Sequence, residues 1–251
     1  MEIKEFMDEM VNKYNKLSFI ESDPISVPHR YSKREDIEIS AFLTAIISWG
    51  QRKTIINNAL RLMNLFDNQP FDFVVNHTEK DLKPLESFCH RTFNFVDLKG
   101  VLSALKCIYN HESGLENIFY EGYKKKKSVY DSLIHLYKRL EVFLADRSKK
   151  HIANVEKGAS AKRLNMFLRW MVRNDEQGVD FGLWSSISPA HLFIPLDVHS
   201  GSVARNLELL KRKQNDWKSV DELTSVLRKF DPKDPVKYDY ALFGVGVNGD
   251  I

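Results

Sequence analysis

Hydrophobic residues recur at helical spacing along most of the chain. Leu164, Phe167, Leu168 and Met171 stand at positions i, i+3, i+4 and i+7, which predicts an amphipathic helix over 161–174. The same periodicity predicts further helices over 1–20, 37–49, 54–66, 129–144 and 197–210. The segment 37–49 is apolar on almost every face, so we expect it to lie at the centre of a helical core.

Polar residues at the expected helix ends support this interpretation. Ser32 with Glu35, and Ser219 with Glu222, have the spacing of capping boxes, and therefore predict two helix starts. Asp197 stands at the entry of its predicted helix, where an aspartate accepts hydrogen bonds from unpaired backbone N–H groups. The chain contains no internal repeat and no convincing hairpin signal.

Composition agrees with an all-α fold. The chain has 251 residues, of which 43% are hydrophobic, with only 11 glycines and 8 prolines. A sandwich or barrel usually needs more of both for its tight turns. We therefore predict one all-α unit over 1–251, built from two interleaved helical subdomains with a groove between them. The approximate helical core is 32–145, and the hairpin and catalytic part is 146–251.

Charge and cysteine content limit the possible functions. The net charge of +3 and the pI of about 8.7 permit a nucleic-acid partner without requiring one. Cys89 and Cys107 cannot form a four-cysteine cluster, and we expect both to be buried, reduced thiols. The histidines show no metal-ligand spacing, so no metal and no cofactor is predicted. The chain has no signal peptide and no run of about 18 apolar residues, which predicts a cytoplasmic protein, nucleoid-associated at most, without a membrane partner.

The first candidate for chemistry is Lys162. A turn of small residues, Gly158 to Ala161, directly precedes the predicted helix and places Lys162 in its first turn. The helix macrodipole disfavours a cation at this end and so favours the neutral amine, which is the nucleophilic form. The backbone N–H groups of such a turn also bind phosphate. Lys162 is therefore an amine nucleophile, a simple phosphate contact or an ordinary surface lysine.

The second candidate is Asp197, in the segment Ile194-Pro-Leu-Asp-Val-His. An aspartate at this position is first of all a helix cap. A capping carboxylate is also held rigidly and ionised, as is required of a group that stabilises a developing cation. Both roles are compatible.

These two segments carry a resemblance to a known superfamily. The segment from Leu196 to Arg205 resembles the V-D-T-H-x-x-R-V-x-R motif of the helix-hairpin-helix DNA glycosylases, the group of endonuclease III and the 8-oxoguanine glycosylases. The resemblance implies that Asp197 is catalytic and that His199 and Arg205 occupy the following motif positions. The arginine that the motif has five residues after the aspartate is Ser202 here.

The turn before Lys162 carries the second half of the resemblance. Residues 158–165 are similar to the hairpin G-x-G-x-K-T-A-N of the same superfamily, with Gly158 on the first glycine, Lys162 on the catalytic lysine and Asn165 on the asparagine. Ser160 replaces the second glycine. The interval of 35 residues between lysine and aspartate is most similar to the archaeal 8-oxoguanine glycosylase branch. Most of the chain also resembles a bacterial family without assigned function, through the PHR-S-K-x-E-D-I-E-I and K-R-L-N-M-F-L-R-W-M-V-R segments.

Further residues are candidates for contacts with DNA. The segment 46–52 resembles the glycosylase L-L-S-x-Q segment, with Gln51 one position out of register. Aromatic side chains could stack on an extruded base, and cations on one helix could bind phosphates. The predicted DNA-binding set is Trp49, Gln51, Arg52, Gly158, Ser160, Arg163, Arg169, Arg173, His199 and Arg205. Trp170, Trp184 and an aromatic-basic cluster around Arg91 are weaker candidates.

The resulting functional prediction is a base-excision DNA glycosylase, with or without lyase activity. It would act on double-stranded DNA that carries a damaged base, with 8-oxoguanine favoured by resemblance, and without an obligate protein partner. Lys162 and Asp197 would perform the reaction. Two alternatives remain: a DNA-binding helix-hairpin-helix protein without catalysis, and a monofunctional glycosylase in which Asp197 activates water.

Overall fold

A computed structural model describes residues 2–249, and almost all of its regular structure is helical. The α-helices that these residues form are α1 (Ile3–Tyr14), α2 (Ser18–Ser22), α3 (Arg34–Ile46), α4 (Arg52–Leu65), α5 (Pro70–Asn76), α6 (Phe95–His111), α7 (Gly114–Tyr123), α8 (Val129–Glu141), α9 (Lys162–Val172), α10 (Val198–Asn206), α11 (Trp217–Phe230) and α12 (Tyr238–Asn248). One antiparallel hairpin, β1 (Cys89–His90) with β2 (Phe93–Asn94), interrupts them, with Cys89 paired to Asn94 and His90 to Phe93. The prediction of a mostly α-helical protein is confirmed, although the short hairpin carried no recognisable turn signal.

The chain divides into two compact units. A continuous unit spans Ser22–Ala153, and a discontinuous unit combines the residues up to Glu21 with those from Asn154 onward. The sequence placed an approximate division at 145/146 and did not assign the N-terminal helix to the second part. Within residues 2–249, no helix has the length and apolar character needed to cross a bilayer.

The core of the continuous unit forms around α3. Every residue from Ile37 to Ile46 is buried, as its apolar pattern predicted. The predicted capping box at Ser32 and Glu35 is wrong: α3 begins at Arg34 behind Lys33, whose side chain makes no capping hydrogen bond. The expectation of buried cysteines is also wrong, because Cys89 is exposed on the hairpin and Cys107 is half-buried, although both are free thiols.

The discontinuous unit is built on α12, which packs against α1 and against α10. Its apolar core includes Met7 and Met10 from α1, Val203 from α10, Leu223 and Leu227 from α11, and Leu242 and Val245 from α12. α9 is central as well, because all of its residues from Leu164 to Val172 are buried. The N-terminal ends of α9 and α10 carry the two candidate catalytic residues.

Candidate active site

Lys162 is the first residue of α9, and an unusual backbone conformation precedes it. The N-cap residue Ala161 is left-handed, with φ +50°, and its side chain makes no capping hydrogen bond. A left-handed non-glycine residue costs about 1–2 kcal/mol. The turn is closed from the other side by Asn165, whose Nδ2 donates to the Ser160 carbonyl over 3.2 Å. The helix therefore starts abruptly at Lys162.

Asp197 caps α10 and is held in a fixed orientation. Its Oδ1 accepts a hydrogen bond from the backbone N–H of Ser200 at 2.9 Å, and the Ser200 hydroxyl accepts one from the backbone N–H of Asp197 at 2.9 Å. The predicted capping role of Asp197 is confirmed. Its other oxygen, Oδ2, points towards α9.

The two candidate residues meet at one place. Lys162 Nζ lies 3.8 Å from Asp197 Oδ2, and each side chain is 29% exposed. This separation is longer than a hydrogen bond, so the two groups form a loose ion pair without a direct hydrogen bond. The pair is accessible and yet partly shielded from solvent, as a catalytic amine and carboxylate need to be.

A third carboxylate at this site was missed in the sequence. Asp239, in the first turn of α12, is buried and ion-paired with Arg169. Burial raises the pKa of Asp239 to about 6; the nearby charges of Arg169 and Lys162 oppose the shift, and those of Asp197 and Asp180 add to it. Asp239 therefore lies within electrostatic reach of both candidates. Its signal was a single acidic residue within the apolar run 238–247.

The predicted phosphate contacts at Arg169 and Arg173 are wrong. Both side chains are buried, each residue being only 3% exposed. Arg169 Nε donates to Asp180 Oδ1 at 3.2 Å, and Arg173 Nη1 donates to Asp180 Oδ2 at 3.0 Å. Arg169 also pairs with Asp239, and Arg173 with Asp175 and Asp234. These arginines belong to a buried ion-pair network, which reaches the candidate site through the pairing of Arg169 with Asp239.

Arg205 has a structural function in place of the expected DNA contact. Its guanidinium donates to the carbonyls of Arg212 at 2.8 Å and Gln214 at 3.4 Å, and to Asn215 Oδ1 at 2.7 Å. Asn215 in turn donates from Nδ2 to the backbone carbonyl of Asp197 at 2.9 Å. Arg205 and Asn215 thus fix the backbone at the candidate carboxylate Asp197, a connection that motif spacing did not reveal.

The other predicted residues of this unit remain at its surface. Gly158, with φ +83°, Ser160 and Arg163 are partly exposed around the turn, and His199 is exposed on α10. Ser202 is exposed too. Trp170 and Trp184 are fully buried, so neither is available to stack on a base.

The remaining candidates belong to the continuous unit. Gln51 is exposed at the N-terminus of α4, and Arg52 follows it, partly exposed. Trp49 is half-buried between two histidine rings, with centroids 4.9 Å from His90 and 5.6 Å from His151. Of the cluster around Arg91, His90 and Phe93 are buried. Phe95 is half-buried, and Arg91 is exposed on a left-handed backbone with φ +55°.

Among residues 2–249, no three histidine, cysteine or carboxylate side chains are grouped so that they could hold a metal ion. The candidate site consists of Lys162, Asp197 and Asp239, which lie within electrostatic reach of one another.

Fold and site together describe a mostly α-helical protein with a lysine–aspartate pair at two helix N-termini. Residues 23–248 match the profile of a protein family of unknown function, DUF2400, and the chain belongs to that family. Neither the curated proteins nor the solved structures contain a significant match to the chain.

Proposed function

We propose that this protein is a DNA glycosylase of the helix-hairpin-helix type, with Lys162 and Asp197 as its catalytic residues. The observation that carries the proposal is the 3.8 Å approach of Lys162 Nζ to Asp197 Oδ2. A surface lysine that only bound phosphate would have no need of a rigidly capped carboxylate beside it. The groove for the duplex and the identity of the damaged base remain predictions from the sequence.

The proposed reaction begins with a nucleotide extruded from the duplex. Asp197 stabilises the cationic sugar that develops as the bond between C1′ and the base breaks, and the base leaves with the bonding electrons and takes up a proton. The Lys162 amine bonds to C1′ and gives up a proton to Asp197. The C1′–O4′ bond then breaks, O4′ keeps the bonding electrons and takes the proton from Asp197, and the nitrogen lone pair completes a Schiff base at C1′. Loss of a C2′ proton expels the 3′ phosphate and nicks the strand.

Two features of the turn favour the non-catalytic alternative. Ser160 replaces a glycine of the motif. The segment before the turn is a single 3₁₀ turn, Val155–Lys157, in place of a first α-helix. Both concern the binding of the phosphate backbone, however, and neither alters the positions of Lys162 and Asp197.

The test is release of a base from duplexes that carry single lesions, 8-oxoguanine first among them. Wild-type protein should release at least one lesion, and Asp197→Asn should slow release by about 10²–10³-fold, the usual effect of a lost charge-stabilising group. Lys162→Gln should abolish both release and strand nicking.

The outcomes separate the alternatives. Release without nicking that survives in Lys162→Gln would identify a monofunctional glycosylase with Asp197-activated water. Duplex binding without release of any lesion would identify a binding protein. Exposed Lys157→Gln, on the same turn, is the matched control and should leave the rate of base release within about threefold.

A further inference from the structure

The segment between α10 and the first turn of α11 is strongly basic. We call residues 211–218, Lys-Arg-Lys-Gln-Asn-Asp-Trp-Lys, the basic loop. It carries four cations, Lys211, Arg212, Lys213 and Lys218, and one carboxylate, Asp216, for a net charge of 4 − 1 = +3. Arg212 is paired with Asp216. The side-chain amines of the other three cations are exposed and form no ion pair within 4 Å among the described residues, although the backbone N–H of Lys211 donates to Glu222 Oε1 at 2.7 Å.

The basic loop lies directly beside the turn that introduces Lys162. The backbone N–H of Trp217 donates to the Gly158 carbonyl at 2.9 Å, and Ala159 forms an antiparallel bridge with Asp216. On its other side, Asn215 donates to the Asp197 carbonyl. The loop thus joins the two segments that supply the candidate catalytic residues.

Several contacts hold the loop in one conformation. Arg205 donates to two of its carbonyls and to Asn215, as described above. Asp216 caps α11 by accepting from the Ser219 N–H at 3.1 Å. A rigid backbone presents its lysines without the ordering cost that a mobile loop would incur on binding.

The position of Lys218 adds a second argument. It stands in the first turn of α11, where the helix macrodipole disfavours a cation. Lys162, at the first position of α9, is in the same situation. A bound polyanion would offset the unfavourable interaction at both helix ends at once.

From these observations we infer that the basic loop binds the phosphate backbone of DNA next to the site of base removal. The inference rests on the proposed function and replaces the phosphate contacts expected from Arg169 and Arg173. A chain of phosphates is the partner that suits fixed, exposed and unpaired lysines beside an active site.

The experiment compares two triple variants that remove the same charge. Lys211→Gln, Lys213→Gln and Lys218→Gln together alter the basic loop, and Lys124→Gln, Lys125→Gln and Lys126→Gln together are the control. The control lysines are also exposed, but Lys124 pairs with Glu121 at 2.6 Å and Lys126 with Asp131 at 3.4 Å. Binding is measured by fluorescence anisotropy, with an undamaged duplex and with a duplex carrying a tetrahydrofuran abasic-site analogue, over a range of salt concentrations.

The basic-loop variant should bind both duplexes at least about tenfold more weakly than wild type at low salt, and the slope of log K against log salt should fall by about 2 to 3, near 0.9 per lost phosphate contact. The control should change affinity by less than about threefold. Thermal unfolding should be the same for all three proteins, because the substituted side chains are exposed.

Equal losses in both variants would overturn the inference, since net charge alone would then explain them. An unchanged basic-loop variant, or a wild-type protein that binds neither duplex, would overturn it as well. The glycosylase proposal is tested separately by base release. If binding depends on the basic loop but no lesion is released, the glycosylase proposal is refuted and the loop's role is supported. If the basic-loop variant binds DNA with wild-type affinity and still releases a base, the glycosylase proposal is supported and the loop's role is refuted.

Discussion

Asp239 is a buried carboxylate at this site whose pKa is shifted towards neutral pH. Burial raises its pKa to about 6, against an ordinary value near 3.8. The charged groups within its electrostatic reach are Arg169, Lys162, Asp197 and Asp180. Above pH 6 the Asp239 side chain is mostly charged and adds a negative charge beside Arg169, whereas below pH 6 it is mostly neutral.

The raised pKa predicts how stability depends on pH. The folded protein binds the Asp239 proton more tightly than the unfolded chain does, so this residue makes stability fall as the pH rises from about 4 to about 6 and level off above. The change is at most about 3 kcal/mol, at 1.36 kcal/mol for each pKa unit. Asp239→Asn should lack it. Urea unfolding of both proteins between pH 4 and pH 8 measures the difference, and parallel profiles would refute the assignment.

Arg169 and Arg173 illustrate that helical periodicity predicts on which side of a helix a residue lies, but not whether that side is buried. They follow Lys162 by seven and eleven residues, and therefore lie on the same side of α9. The expected row of cations exists, but Arg169 and Arg173 are buried, whereas the prediction required them to be exposed. The burial of that side depends on Asp180, Asp234 and Asp239, which come from later segments that the periodicity of α9 does not encode.

At the scale of elements, the contact between α1 and α12 depends on a close approach at Gly244. A Cβ atom at this position would overlap the ring of Tyr14 near its attachment to the backbone. The ring cannot yield there without moving the whole side chain. Gly246, two residues later in the same helix, is less restricted, because the nearest atom to a Cβ would be Val203 Cγ2 at 3.2 Å.

The two glycines therefore form a matched pair for mutation. Gly244→Ala should destabilise the protein by about 1–3 kcal/mol through overpacking, in spite of the better helix propensity of alanine. Gly246→Ala should change stability by less than about 1 kcal/mol in either direction. Chemical denaturation gives both values. A smaller loss at Gly244 than at Gly246 would contradict the α1–α12 packing described above.

The sequence predicted the positions of helices more reliably than it predicted the residues that cap them. The Ser219–Glu222 pair has the spacing of a capping box, yet α11 begins at Trp217 behind Asp216, and Ser219 lies buried within the helix. Asp234 stands before Pro235 at the start of a 3₁₀ turn but does not cap it, because its carboxylate binds Arg173. A capping pattern specifies a local hydrogen bond, and a competing aspartate or a buried arginine nearby decides whether that bond forms.

At the scale of the whole molecule, the discontinuous unit is the feature that sequence periodicity could not supply. The apolar face of α1 showed that this helix packs on something, but not that its partner is α12, more than 220 residues later in the chain. The proximity of Lys162 to Asp197 could be predicted from the sequence because each residue stands in a recognisable local motif. Asp239 and Asn215 stand in none, and their contribution depends on tertiary contacts.

Chemical trapping tests the central claim most directly. Incubation with borohydride and duplexes carrying 8-oxoguanine, other single lesions or a natural abasic site should reduce a Schiff base to a stable protein–DNA adduct for at least one of them. Peptide mass mapping should place that adduct on Lys162. Lys162→Gln should form none while it still binds DNA, and Asp197→Asn should form it at least about 10²-fold more slowly. An adduct on another residue, or equal trapping by Lys162→Gln, would contradict the assignment of Lys162 as the nucleophile.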